Sequence, residues 1–132
     1  MKQIAVILTM LFVVHFAQAQ NKVNVINQQP GKEFENIHVM KLNTDSLASS
    51  FLIWVKKSVK PHKHERHTEN LYVVSGKAIM RVGEKEFEIS AGDYFQIPMN
   101  TVHSVKVISK EPLKVISVQA PEFIGKDRVF VD

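Results

Sequence analysis

The chain contains no cysteine. No disulfide can staple the fold, no thiolate can serve as a nucleophile or soft metal ligand, and no lipid can be attached through a cysteine. A long apolar run is also lacking. The N-terminal stretch Ile4 to Ala17 is broken by Thr9 and His15 and is short of the roughly 20 residues that a bilayer-spanning helix needs. Charge of one sign is scarce: 17 Lys and Arg face 13 Asp and Glu, and the basic residues are spread along the chain. That balance gives no electrostatic footprint for nucleic acid. Sustained helical periodicity, internal repeats and low-complexity segments are missing as well.

What opens the chain is "MKQIAVILTMLFVVHFAQAQ": one lysine, the short apolar run, and an A-x-A site at Ala17–Ala19. This is the pattern of a secretory signal peptide over residues 1–19, with cleavage expected after Ala19 and the mature chain periplasmic or secreted without a stable membrane anchor. Loss of Lys2 leaves one basic residue fewer than 17 against 13 acids, a net charge of +3. Residues 20–35 are polar, carry a Pro-Gly turn signal in "NQQPGKE", and read as a flexible or edge-lying lead-in. Residues 36–132 are of a length for one domain.

Within that domain eight short segments rich in Val, Ile, Phe and Tyr follow one another: "IHVMKL", "SFLIWVKKSV", "ENLYVVS", "KAIMRVG", "KEFEIS", "YFQIP", "HSVKVIS" and "LKVISVQA". Turn residues at Gly76, Gly83, Gly92, Pro98 and Pro112 separate most of them, which predicts an all-β sandwich or barrel. "DSLASSF", 45–51, is compatible with one helical turn. Period-two alternation places Glu69 on the face of Leu71 and Val73, and His103 on the face of Val105 and Val107. Burying an ionisable group among such residues costs several kcal/mol unless it is paired or bound to a metal, so both positions suggest a site.

The densest polar stretch is "KPHKHERHTE", residues 60–69. A helical zinc motif would need H-E-x-x-H; "HERH" is one residue short, and Pro61 with the β-rich run after it argues against a helix. On an extended strand, His62 and His64 point the same way with Cα atoms about 6.6 Å apart and can converge on one ion. Glu69 would add a carboxylate, and His103 is the other histidine at a strand start on an apolar face. Such a set suits a divalent Zn, Mn, Fe, Ni or Cu ion.

With their spacing, His62-x-His64-x4-Glu69-x6-Gly76 and Gly92-x5-Pro98-x-Asn100-x2-His103 resemble the paired motifs of the cupin superfamily, over residues 51–119. The resemblance implies an antiparallel jelly-roll β-barrel with His62, His64, Glu69 and His103 as ligands of one divalent transition metal ion. It also implies a small-molecule ligand or substrate and a homodimer joined through barrel edges. Asn100 departs from the usual glycine but tolerates a left-handed backbone. Val107 replaces the final asparagine, which is not a ligand. Gly76 is expected to permit a hairpin between "LYVVS" and "KAIMRV", and Gly92 a turn into "DYFQIP".

Three function classes fit. One is isomerisation, dehydration or ring opening of a sugar- or uronate-like compound; another is a metal-dependent dioxygenase, which needs a redox metal and a dry apolar pocket. The third is a non-catalytic small-ligand-binding module. No catalytic residue is assigned. His67, of opposite parity to His62 and His64, reads as an exposed loop histidine, and His38 as a surface or barrel-wall residue. Lys56, Lys57, Lys60, Lys63 and Arg66 read as a solvated strand edge, with attraction of an anionic substrate as the alternative. Trp54, Met80 and Phe95 read as core first and pocket lining second. "APEFIGKDRVFVD" is expected to pack back on the barrel or on a partner.

Overall fold

The computed structural model describes residues 22–131; the expected signal peptide lies outside them. Ten strands and no helix occur among the described residues: β1 Ile37–Thr44, β2 Ser49–Val55, β3 Ser58–His64, β4 Thr68–Ser75, β5 Lys77–Val82, β6 Lys85–Ser90, β7 Tyr94–Ile97, β8 His103–Val107, β9 Leu113–Ala120 and β10 Arg128–Phe130. They form two five-stranded sheets, β1-β2-β9-β4-β7 and β10-β3-β8-β5-β6, in which every pairing is antiparallel. The all-β jelly-roll expectation holds.

The two sheets face each other over Val55, Leu71, Val73, Ala78, Met80, Ile89, Ile97, Leu113 and Val115. Each fully buried aliphatic side chain of this kind contributes about 1.5–3 kcal/mol. The alternation read in β4 and β5 is what the structure shows: Glu69, Leu71 and Val73 are buried, as are Ala78 and Met80. Trp54 is buried but belongs to a different face. Ile53 and Val55 line the interior pocket, whereas Trp54 stacks on His38 at 5.5 Å, and His38 on Phe34 at 5.7 Å. The lead-in contributes to this outer layer, for the Lys114 ammonium donates to the Ile26 carbonyl at 2.9 Å and that of Lys56 to the Phe34 carbonyl at 2.7 Å.

Several local expectations are corrected. "SFLIWVKKSV" is not one strand: the chain turns at Lys56-Lys57 and the histidine stretch belongs to β3. β10 pairs with β3 at His62–His64, so the end of the lysine-rich segment that holds Lys63 is not a free edge, while Lys56, Lys57 and Lys60 lie outside that pairing. Asp45–Ala48 forms a turn rather than a helical one, the Asp45 carboxylate accepting from the Leu47 and Ala48 N–H groups at 2.8 and 3.1 Å. This local bonding competes with helix, as short acidic side chains do. Gly76 does not close a hairpin. β4 and β5 lie in different sheets, and Gly76, at φ 84°, carries the chain between them where a Cβ would lie 2.8 Å from the Leu113 Cα.

Candidate metal centre

The site begins with a miscount in β3. Val59 pairs with Val105 and His62 with His103, so three steps on β3 match two on β8. This β-bulge, centred on Lys60 and Pro61, reverses the parity of everything after it. Val59 packs against the core, and in a regular, unbulged ladder this sequence would send Pro61 and Lys63 inward after it. With the bulge, His62 and His64 turn inward and are 4 % and 3 % exposed. Proline suits the position because a bulge leaves a residue outside the ladder, where an N–H is not required.

His103, at the start of β8, meets these two across the strand pair. Ring centroids are 4.1 Å apart for His62 and His103, 5.2 Å for His62 and His64, and 5.3 Å for His64 and His103. Ligand-competent nitrogens of all three lie within 4.8 Å of one another. Glu69 approaches from β4 in the opposite sheet, Oε2 standing 3.6 Å from His64 Nε2 and 3.5 Å from His103 Nε2. The structure therefore brings together all four residues singled out by the motif spacing. His38 stands apart, in β1 against Trp54.

The surroundings orient the donors. His62 Nδ1 faces the Lys60 carbonyl at 2.8 Å and His103 Nδ1 the Thr101 carbonyl at 2.9 Å. A carbonyl only accepts, so both Nδ1 atoms carry the proton and both Nε2 lone pairs are left free. Glu69 Oε1 accepts from the Ser117 hydroxyl and, at 3.4 Å, from the Gln119 amide, which leaves Oε2 toward the histidines. Asn100, left-handed at φ 61°, donates its N–H to the His64 carbonyl at 2.7 Å and so ties the turn before β8 to the histidine strand.

Electrostatics follow from burial and neighbours. Burial pushes the His62 imidazole down to about 4, with the charge of His103 acting in the same direction. Burial would raise the Glu69 carboxyl, but the His103 and His64 imidazoles beside it and the Ser117 hydroxyl outweigh that and hold the group well below the usual carboxylate range. The cluster thus favours neutral His62 beside ionised Glu69, the protonation states that metal ligands require. His64 Nδ1 and His103 Nε2 are buried without a hydrogen-bond partner. Unpaired buried nitrogens are costly unless something else takes the lone pair, and for His103 Nε2 a cation at the cluster fits.

Ser117 and Gln119 were legible but unread: they share the buried face of β9 with Leu113 and Val115, the same signal that marks Glu69. His67 corrects the expectation of an exposed loop histidine. It is 2 % exposed, its Nδ1 bonded to the Asp127 carboxylate and its Nε2 to the Glu122 carbonyl at 2.9 Å. Parity does not govern it, since it lies in the turn between β3 and β4. Asp127 comes from the segment before β10, where no periodicity marks it.

Beyond the cluster the pocket is apolar, walled by residues such as Val39, Ile53, Val55, Leu71, Met80 and Val115, with Ser104 and Arg128 as its other polar lining. Its internal space of about 70 Å³ has room for about five waters or a ligand fragment of that size.

Comparison with known proteins places these features. The cupin domain family matches residues 50–119, both motifs included. An Aquifex aeolicus protein described only as uncharacterized is 32 % identical over 98 residues, 74 % of this chain and 80 % of that one. Quercetin 2,3-dioxygenase of Bacillus subtilis is 30 % identical over 96 residues, 69 % of this chain but 27 % of the enzyme. A solved Klebsiella pneumoniae protein with a double-stranded β-helix domain superposes with a TM-score of 0.72 at 16 % identity, over 85 % of this chain and 98 % of that one. By the span of that match and by its own strand order, the chain belongs to the cupin family.

Proposed function

We propose that the protein binds one divalent transition metal ion through His62, His64, Glu69 and His103 and holds a small oxygenated compound, sugar- or uronate-like, against it. The observation that carries this reading is the convergence of three buried imidazoles and one buried carboxylate at an apolar pocket. Bound there, the ion would supply Lewis acidity and open positions for a ligand oxygen. Ser117 and Gln119 keep Glu69 turned toward the histidines, and the Lys60 and Thr101 carbonyls keep two imidazoles in the ligating tautomer. The apolar walls would leave scattered hydroxyls unpaired, at about 1–3 kcal/mol each. The ligand's oxygens are best met at the cluster and at Arg128, whose charge favours an acid such as a uronate over a neutral sugar. Isomerisation, dehydration or ring opening are the reactions this supports.

The same walls favour a second reading, oxygen-dependent cleavage of a more apolar compound. Metal content of the purified protein separates the two: iron or copper with oxygen uptake supports the second, and zinc, manganese or nickel with turnover of an unsaturated or cyclic acid supports the first. Metal bound with no turnover of either class would leave a ligand-binding module. A preparation that binds no transition metal rejects all three.

A further inference from the structure

Two of the three clustered histidines use a backbone carbonyl to hold the outer ring nitrogen; His64 has none. Its Nε2 faces Glu69, and its Nδ1 is buried without a partner. On the Nδ1 side stands Asp127, with Oδ2 3.9 Å away. Asp127 is 5 % exposed and held on all sides. Oδ1 accepts from the Glu65 and Arg66 N–H groups at 3.1 and 3.0 Å, and Oδ2 from the Arg66 N–H at 3.1 Å and from His67 Nδ1. The Arg66 N–H is shared between the two oxygens, so these four contacts come from three hydrogens on a carboxylate that offers about four acceptor sites. One is left for His64.

We infer that Asp127 is the positioning residue of His64, accepting its Nδ1–H and thereby directing the Nε2 lone pair into the histidine cluster. The inference rests on the metal reading above. An approach of about 1 Å brings the 3.9 Å separation to hydrogen-bond length. A carboxylate placed behind a ligating imidazole fixes the ring and raises its basicity, which the carbonyls behind His62 and His103 do less strongly. The segment before β10 is therefore part of the site although it supplies no ligand. His64, His67 and Asp127 also bring donor atoms within 4.8 Å of one another, but a second cation there would have to break the contact between His67 and Asp127 and face the Glu65 and Arg66 N–H dipoles.

The test uses Co(II) as the probe. Asp127→Asn keeps an oxygen for the Glu65 and Arg66 N–H groups but loses the charge. It should weaken Co(II) binding by about 10–100-fold and move one of the three exchangeable imidazole N–H signals in the NMR spectrum of the Co(II)-loaded protein, that of His64. His67→Gln should lower the melting temperature of the metal-free protein yet leave Co(II) affinity within a few-fold. Unchanged affinity with all three signals in place in Asp127→Asn overturns the inference while sparing the metal centre. Two Co(II) per wild-type chain, one of them lost in Asp127→Asn, overturns it in favour of a second site. If Asp127→Asn does not fold, the wild-type spectrum decides: a His64 Nδ1–H that exchanges freely with solvent sinks the assignment. A wild type that takes up no Co(II) sinks both.

Discussion

His62 sits directly opposite His103 across the pairing of β3 with β8, and their ring centroids are 4.1 Å apart. Neither strand can supply this pair alone. Alanine at His62, His64, Glu69 or His103 should weaken metal binding by at least about tenfold, with any activity lost in parallel. Alanine at His38, which lies against Trp54, should leave metal content unchanged. Metal per chain after dialysis reads both. Full occupancy in the His103 variant would reduce the centre to the β3 histidines and their near neighbours.

The bulge in β3 allows a sharper trial. Because the bulge precedes both histidines, their shared inward face then rests on strand alternation alone, and deleting Lys63 makes His62 and His64 neighbours that point to opposite faces, so one must leave the cluster. Metal binding should weaken sharply while the far-ultraviolet circular dichroism of the sheets persists. Retained binding would mean that the histidines reach the ion by some path other than strand parity.

Gly76→Ala should be far more damaging than Gly92→Ala. Both positions have positive φ, 84° and 97°, but a Cβ at Gly76 meets the Leu113 Cα and the Pro112 carbonyl oxygen at 2.8 Å, whereas one at Gly92 meets nothing within 4 Å. A loss of about 1 kcal/mol is expected at Gly92 and of about 3 kcal/mol or more at Gly76. Urea unfolding measures the difference; equal losses would show that backbone strain, not the sheet-to-sheet contact, decides both.

Acid should destabilise the metal-free protein in two stages. The unfolded chain protonates His62 near 6.5 and the folded one only near 4. Between those values the unfolded state binds more protons, so stability is full above about 6.5 and is lost as pH falls toward 4. Glu69, held below its ordinary value of 4.5, adds stability that is present above that value and is lost as the carboxylate protonates at lower pH. Urea midpoints of the metal-free protein at pH 7.5 and 4.5 should differ, and His62→Gln should remove most of the difference. A flat profile for the wild type would mean that His62 is solvated.

Most of the strands were legible because antiparallel strands with one buried face alternate strictly, as "ENLYVVS" and "KAIMRV" do. Two members of the candidate cluster were legible because ionisable residues at Glu69 and His103 interrupt that alternation on its buried side. Three things were hidden for physical reasons. The β3 bulge inserts a residue whose phase change no periodicity announces, and Pro61 only hints at it. Gly76 looks the same in sequence whether its two strands pair with each other or cross to opposite sheets. The places of His67 and Asp127 depend on a contact between residues 60 positions apart, which neither segment encodes alone.

His62, His64 and His103 belong to one sheet and Glu69 to the other. An ion gripped by all four would act as a removable cross-link through the middle of the barrel, in a chain with no cysteine to make a covalent one. Such a tie is not opened by thiol–disulfide exchange. It loosens in acid or in the presence of a stronger chelator, so the rigidity of the barrel would be set by metal supply and pH rather than by the disulfide chemistry of its compartment.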